Sequence, residues 1–564
     1  MGNFNKNKVT QSSKGFKPTV NHEGTTVHKL TDLETLFSQV LGSFFGEETH
    51  YENRTTEDEF NKLYERVRGV DNSDKEYVLK IAEIGRLCNM IDYPLNILTV
   101  AFNDDKFLGT NFADEGGRNK LWDYADKIIL RAKDITTVMS SHLTMFDKRS
   151  SMCIDVPGKK GTAIPMQMRK CLKKKLQMYD KFKLSKGLCK GSYVTLADCI
   201  NLLRPKPRNT EFAEFFKSIK EGKVKIGDDK AQIKTELVKK GQKRAVEVPV
   251  DNEGLGKAVS MDNLMNIVKN LVSLYKNGVF EDKEALSSVC SKLRNPKEVK
   301  QSRLLPFRFY SAYVEVDKLK TDIITKTLKE ALSDALDLAV SNVEPLEGLT
   351  CILVDRSGSM DHRISSKSVM TAHEIASVLA AIAYKSGMAD LYAFSNYCVK
   401  VSISNTASVM DITRAIEGSV SEEGTQLEKA LKIIERDAAS NGTKYDSLLM
   451  LSDGDCYGYD KSNNTLTFSG GYEDYGVPKD TPDKHINRLI SVGLFKRVWL
   501  ANLLGNDFAV FNTSSDNKNL IVGFSEQCLN MISVYNMMGG NKDIRKVIDK
   551  FYDKLKGKPV KVED

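Results

Sequence analysis

From about Val27 to Val343 apolar residues recur three and four apart in short segments divided by polar turns, the spacing that lines one face of a helix. The clearest segments are Leu30 to Phe45, Tyr77 to Leu87, Leu95 to Phe102, Leu121 to Met145, Met261 to Leu274 and Ile323 to Val340. Strand-like alternation is rare throughout this stretch. So long a run of short helices packs more readily as stacked pairs than around one centre, which predicts an α-solenoid.

The pattern changes after Val343-Glu344-Pro345-Leu346-Glu347-Gly348, where Pro and Gly follow a long helix. Apolar runs at Thr350 to Val354, Leu391 to Phe394, Ser447 to Leu451, Arg497 to Leu504 and Leu520 to Phe524 now alternate with helical stretches near 366–386, 425–439, 482–493 and 525–534. This alternation predicts a parallel sheet covered by helices on both faces, with ligands outside the carboxyl ends of the strands.

Composition adds limits. A chain of 564 residues exceeds one hydrophobic core, and 41% hydrophobic with 28% charged residues suits a soluble globular protein with no membrane span. The leader MGNFNKNK lacks an apolar signal core, and Lys6 stands where a myristoylation signal needs Ser or Thr, so the start reads as a disordered polar lead. Ten cysteines are scattered singly, without zinc spacing, as expected for reduced thiols in a cytoplasmic protein. The net charge of +8 is mild but uneven. Between Lys159 and Lys190 eleven Lys or Arg face one acid, Asp180.

The strand Thr350 to Val354 runs into Asp355-Arg356-Ser357-Gly358-Ser359-Met360, which sets oxygen side chains at alternate positions of a turn. Glu423-Gly424-Thr425 precedes a helical stretch, and Ser452-Asp453-Gly454 ends another strand, at the same sheet edge. Asp355, Ser357, Ser359, Thr425 and Asp453 offer only hard oxygens, which suits a divalent cation, Mg²⁺ first with Mn²⁺ or Ca²⁺ as alternatives, and disfavours zinc. This pattern resembles the metal-ion-dependent adhesion site of von Willebrand A domains. The resemblance implies Ser357, Ser359 and Thr425 as direct ligands, with Asp355 and Asp453 further out or variably ligating. Enzyme readings fit poorly: a haloacid-dehalogenase phosphatase needs a second Asp at position 357, a serine-hydrolase elbow needs G-x-S-x-G, and Gly158-Lys159-Lys160-Gly161-Thr162 lacks phosphate-loop spacing. Asp460, in a Tyr-, Gly- and Asp-rich loop spanning 456–482, and Asp455 just before it fit a solvated surface better than further metal ligands.

The cluster from Lys159 to Lys190 is interrupted by Met166, Met168, Leu172, Leu176, Tyr179 and Phe182, giving a helix one apolar face and basic residues elsewhere. Further cations follow in Arg204-Pro205-Lys206-Pro207-Arg208, at Lys239, Lys240, Lys243 and Arg244, and at Lys292, Arg294, Lys297, Lys300, Arg303 and Arg308. Such surfaces suit a polyanion and predict steep salt dependence, although a charge run is also a common solvated face.

The whole chain resembles the Ro autoantigen family, which joins a TROVE module to a von Willebrand A domain. The resemblance is carried by Lys29-Leu30-Thr31-Asp32, His50-Tyr51, Ile84-Gly85-Arg86 with Tyr93-Pro94-Leu95, Tyr193 to Asp198 leading to Arg204-Pro205-Lys206-Pro207, and Lys300 to Phe309 (KQSRLLPFRF). It implies an α plus α/β fold, a HEAT-like helical-repeat ring (an α-solenoid) followed by a doubly wound von Willebrand A domain. The implied boundaries are a disordered lead at 1–26, a TROVE RNA-binding domain at 27–345, the A domain with its metal site at 346–540, and a C-terminal helix and tail at 541–564. It also implies a non-catalytic ribonucleoprotein component, cytoplasmic and monomeric, with no membrane partner. The partners it implies are Y-like structured small RNA on the ring's outer surface, single-stranded 3′ ends of misfolded non-coding RNA in its hole, and an exoribonuclease. Lys170, Lys173, Lys174, Lys181, Lys183 and Arg204 are the implied phosphate contacts. Arg204 stands where better-known members have His, which keeps charge but loses a ring able to contact a base. An insertion-like stretch from Lys186 to Ser192 shifts the alignment of neighbouring lysines. The alternative reading is a scaffold whose cation site captures an acidic protein partner.

Overall fold

The computed structural model describes residues 19–20, 26–42, 56–108, 112–147, 150, 163–188, 193–224, 263–361, 363, 370–421, 424–454, 459–460, 465–466, 482–504, 508–513, 515, 517–523, 525, 527–537 and 543–557. They form two compact units, one drawn from 32–46, 54–232 and 543–564, the other from 1–31, 47–53 and 233–542. Among the described residues no helix is long and apolar enough to cross a membrane.

The first unit is helical. Its helices include Asp32–Gly42, Thr56–Gly69, Lys75–Leu87, Asp92–Asn103, Leu121–Ile128, Ala132–Met145, Met166–Met178, Lys181–Lys186, Leu196–Leu203, Thr210–Lys220 and, from the far end of the chain, Ile544–Lys556. Lys75–Leu87 packs against Asp32–Gly42, Asp92–Asn103 and Ile544–Lys556. Gly85 makes this closeness possible: a Cβ there would lie 2.5 Å from Val40 Cγ1 and 2.7 Å from Pro94 Cγ. The helix Ile544–Lys556 is held by an edge-to-face contact of Phe551 on Phe37, with ring centroids 5.6 Å apart, and by an Arg545–Asp74 ion pair at 2.7 Å.

The single helical segment expected from Leu121 to Met145 is two helices, broken at Ile129-Leu130-Arg131. The break has a cause in Asp134. Its Oδ2 accepts the backbone N–H of Leu130 and of Arg131, each at 3.0 Å, and so caps the second helix. The same carboxylate, fully buried, takes a hydrogen bond of 2.7 Å from the buried Arg86 guanidinium.

The second unit carries helices Leu264–Lys276, Lys283–Leu293, Pro296–Ser302, Pro306–Asp317 and Ile323–Ala339 ahead of its sheet. Its strands are β1 (Thr19–Val20), β2 (Thr26–Lys29), β3 (Leu349–Asp355), β4 (Met388–Phe394), β5 (Cys398–Lys400), β6 (Tyr445–Ser452), β7 (Tyr459–Asp460), β8 (Thr465–Leu466), β9 (Phe495–Asn502), β10 (Phe508–Ala509) and β11 (Lys518–Val522). The main sheet runs β11-β9-β6-β3-β4-β5. All five strands expected from the apolar runs are in it, and they are mutually parallel. The sheet is nevertheless mixed, because β5 pairs antiparallel with β4. The turn between them is closed by the Ser395 N–H donating to the Tyr397 carbonyl at 2.9 Å, far too short for a parallel crossover. At the other end of the chain, β1 lies within the expected disordered lead, yet pairs with β2, which in turn pairs with β10.

Helices cover both faces of the sheet. Cys351 and Leu353 of β3 face Leu427, Leu431 and Ile434 of helix Leu427–Asn441 and Ile486 and Leu489 of helix Pro482–Ser491. Helix Ala372–Ser386 packs on β3 and β4, its buried row including Ile375, Leu379 and Ile382. The parallel strands thus end together at one carboxyl edge, where β3 delivers Asp355 and β6 delivers Ser452 and Asp453.

Candidate metal centre and candidate nucleic-acid interface

Asp355 ends β3 fully buried. Its Oδ1 accepts the Ser357 N–H at 2.9 Å, and its Oδ2 accepts the Ser452 hydroxyl at 2.5 Å. The turn brings the Ser357 and Ser359 hydroxyl oxygens within 3.2 Å of each other. Asp453, also fully buried, follows β6, and its backbone carbonyl is held by the Asn502 amide at 2.6 Å. Burial, and then the negative charge of Asp453, push the Asp355 carboxyl up to about 7. Thr425 is buried at the same edge, in a small cavity shared with Ser452 and Gly454, and the next residue, Gln426, donates its N–H to Ser395 at 2.9 Å. The structure therefore brings Asp355, Ser357, Ser359 and Asp453 to one edge with Thr425 beside them.

This donor set fits a hard divalent cation. Two carboxylates desolvated side by side repel each other, and a cation is the natural neutraliser; the hydroxyls supply neutral oxygens. The loop itself is fixed by Arg356. Its N–H donates to Phe394 at 2.8 Å, and its guanidinium contacts the His373 ring and the Glu417 carbonyl. Ser452, Asn502 and Arg356 were not foreseen as part of the site. For Ser452 a signal existed: it sits at the strand end directly before Asp453, within hydrogen-bond reach of any carboxylate ending the neighbouring strand. Asp455 and most of the loop 456–482 lie outside the described residues, as does the side chain of Asp460.

The basic helix is Met166–Met178, followed by Lys181–Lys186. Met168, Cys171, Leu172 and Leu176 are buried and hold it to the unit, while Lys170, Lys173 and Lys174 lie on its remaining surface. Lys175 is different. It is 7% exposed, and its ammonium donates to the Asp126 carbonyl at 2.7 Å with the Asp126 carboxylate at 3.3 Å. Lys174 lies 3.9 Å from the same carboxylate, and Lys181 is paired with Glu211. Lys170, Lys173, Lys183 and Arg204 have no carboxylate partner among the described residues. Arg204 caps helix Leu196–Leu203 in the left-handed region, at φ 50°. The segment after it returns to the basic helix: Gln177 donates to the Lys206 carbonyl at 2.9 Å and Arg208 donates to the Tyr179 carbonyl. Lys159, Lys160 and Lys190, and the later cluster from Lys239 to Arg244, fall outside the described residues.

Comparison with known proteins bears on both sites. The family model of the TROVE domain matches residues 236–430. Through this match the chain resembles the Ro autoantigen family. It has a helical part and a sheet-containing part. The crystal structure of the Deinococcus radiodurans RO (RSR) protein is similar in fold, with a TM-score of 0.59 at 16% identity over 89% of this chain and 99% of that chain. No curated protein matches significantly by sequence. The TROVE match includes the helices from Leu264 onward and the metal turn, and leaves the basic helix Met166–Met178 outside it.

Proposed function

We propose that this chain, which resembles the Ro family, is a non-catalytic RNA-binding ribonucleoprotein component. In this reading a HEAT-like ring carries Y-like structured small RNA and the single-stranded 3′ ends of misfolded non-coding RNA. The task is RNA quality control or presentation to an exoribonuclease by a cytoplasmic monomer. The observation that carries it is the set of cations Lys170, Lys173, Lys183 and Arg204, held on folded helices and lacking a carboxylate partner among the described residues. Cations neutralised by no neighbour release condensed counterions when they meet phosphates, which is the main source of RNA affinity.

The test is a gel-shift titration with a hairpin RNA bearing a single-stranded 3′ tail, comparing the intact chain with a Lys170→Ala/Lys173→Ala/Lys183→Ala variant. Three lost contacts flatten the plot of log affinity against log salt by about 2 and weaken binding at least ~10-fold at low salt. Unchanged binding by the variant refutes the surface; no binding by the intact chain refutes the function.

A second reading is favoured by the two buried carboxylates beside paired hydroxyls. Ser357, Ser359 and Thr425 would hold a divalent cation, Mg²⁺ by preference, with Asp355 and Asp453 acting through its waters. When bound, such a cation supplies an open position for a carboxylate of an acidic protein partner. Chelator abolishes that capture and leaves RNA binding intact.

A further inference from the structure

We infer that the sheet-containing unit has an RNA-contact surface of its own, made by Lys297, Lys300, Arg303 and Arg308 and directed at the phosphate backbone. This deepens the RNA-binding reading and rests on it.

The argument begins with charge. Between Lys292 and Arg308 there are six Lys or Arg, namely Lys292, Arg294, Lys297, Lys300, Arg303 and Arg308, against one acid, Glu298. The structure sorts them by availability. Arg294 is neutralised by Asp334 at 2.7 Å and Glu330 at 3.8 Å. Lys297, Lys300, Arg303 and Arg308 are exposed, and Lys297, Lys300 and Arg308 have no carboxylate partner among the described residues. Lys297 and Lys300 stand three apart on helix Pro296–Ser302, hence on one face.

The backbone that presents them is fixed at every joint. Asn295 caps the helix by accepting the Lys297 N–H at 3.0 Å, and Pro296 sets its first position. Arg303 ends it in the left-handed conformation at φ 55°. The Asn342 side chain then pins the turn, donating to Val299 at 3.3 Å and Leu304 at 2.8 Å. Arg308 follows in the first turn of helix Pro306–Asp317. The backbone of the strip is therefore ordered before any phosphate arrives, so that binding costs side-chain rather than backbone entropy.

Location supplies an independent argument. The TROVE match at 236–430 includes this strip and excludes the basic helix Met166–Met178. Within the part of the chain that matches the TROVE domain, this strip concentrates exposed cations, of which Lys297, Lys300 and Arg308 have no carboxylate partner among the described residues.

The experiment uses the full chain and two variants, Lys297→Ala/Lys300→Ala/Arg308→Ala and Lys170→Ala/Lys173→Ala/Lys183→Ala, titrated over a salt series with oligouridylate and with the 3′-tailed hairpin. All three substituted residues of the strip are exposed, so thermal melting of the first variant should match the intact chain. The strip variant is expected to lose on the order of tenfold to a hundredfold in affinity for at least one RNA, with a salt slope smaller by about 2. Combining both variants should lower affinity beyond either alone. If the strip variant binds both RNAs with the affinity and salt slope of the intact chain, the strip is a solvated face and the inference fails, while the RNA-binding reading stands on the other surface. If the intact chain binds neither RNA, the RNA-binding reading itself fails and the strip falls with it.

Discussion

Asp355→Asn should stabilise the metal-free protein and abolish its response to magnesium. Burial and the neighbouring Asp453 raise the Asp355 carboxyl from 3.8 to about 7, so the folded state favours its protonated form. The sign follows directly. Relative to the unfolded chain, the folded unit is most favoured below the unfolded value, and this advantage is lost as pH rises from about 4 to about 7. Three units at 1.36 kcal/mol each give a ceiling of about 4 kcal/mol lost by pH 8, and relaxation around the pair halves this to about 2. Asparagine carries no charge, its oxygen can still accept the Ser357 N–H, and the Ser452 hydroxyl can turn to accept its amide. In chelator at pH 8, calorimetry should show the sheet-containing unit of the variant melting about 4–8 °C higher than the parent. Added Mg²⁺ should raise the parent's melting temperature, by an amount that shrinks as pH falls below 7, and leave the variant unmoved. A variant that melts lower in chelator, or that gains as much from Mg²⁺ as the parent, would show that the two carboxylates are not held in mutual repulsion awaiting a cation.

Two further predictions concern the helical unit. Lys175→Ala should cost about 1–3 kcal/mol in urea unfolding, because its ammonium is buried on Asp126, while Lys170→Ala, exposed on the same helix, stays within about 0.5 kcal/mol. Equal effects from the two would remove the distinction between the structural and the available lysine. Asp134→Ala should cost about 3–5 kcal/mol by the same measurement, since it strands the buried Arg86 guanidinium and uncaps helix Ala132–Met145; a cost below about 1 kcal/mol would refute this account.

Much of the architecture was written in periodicity because the buried faces are continuous. The five apolar runs became β3, β4, β6, β9 and β11, since a parallel strand covered on both faces leaves no polar position to blur the pattern. What escaped were features set by few residues. Strand β5 is three residues long and exists because β4 turns back on itself. The break between Leu121–Ile128 and Ala132–Met145 depends on one carboxylate whose partner, Arg86, lies 48 residues away in sequence. The motif Ile84-Gly85-Arg86 was visible as a resemblance, but its physical content was not. Gly85 admits Val40 and Pro94, and Arg86 meets Asp134.

The functional surfaces divide along the same line. The candidate turn was legible because its oxygen side chains follow a strand end at alternate positions; its supports were less so, since Arg356 lies in the turn but acts through Phe394, His373 and Glu417, Ser452 adjoins Asp453, and Asn502 comes from β9. The basic helix was legible as a charge run but not as a set of available charges. Lys173, Lys174 and Lys175 are identical to a sequence count, yet Lys175 falls three residues after Leu172 and four after Cys171, on the buried face. Once the fold shows which face of the helix is buried, that spacing separates the lysine that holds the unit together from those that can meet a phosphate. The same sorting applies between Lys292 and Arg308, where Arg294 is consumed by Asp334 while Lys297, Lys300 and Arg308 are not. Charge density identifies where a polyanion can bind only after the neutralised members have been subtracted, and that subtraction needs the fold.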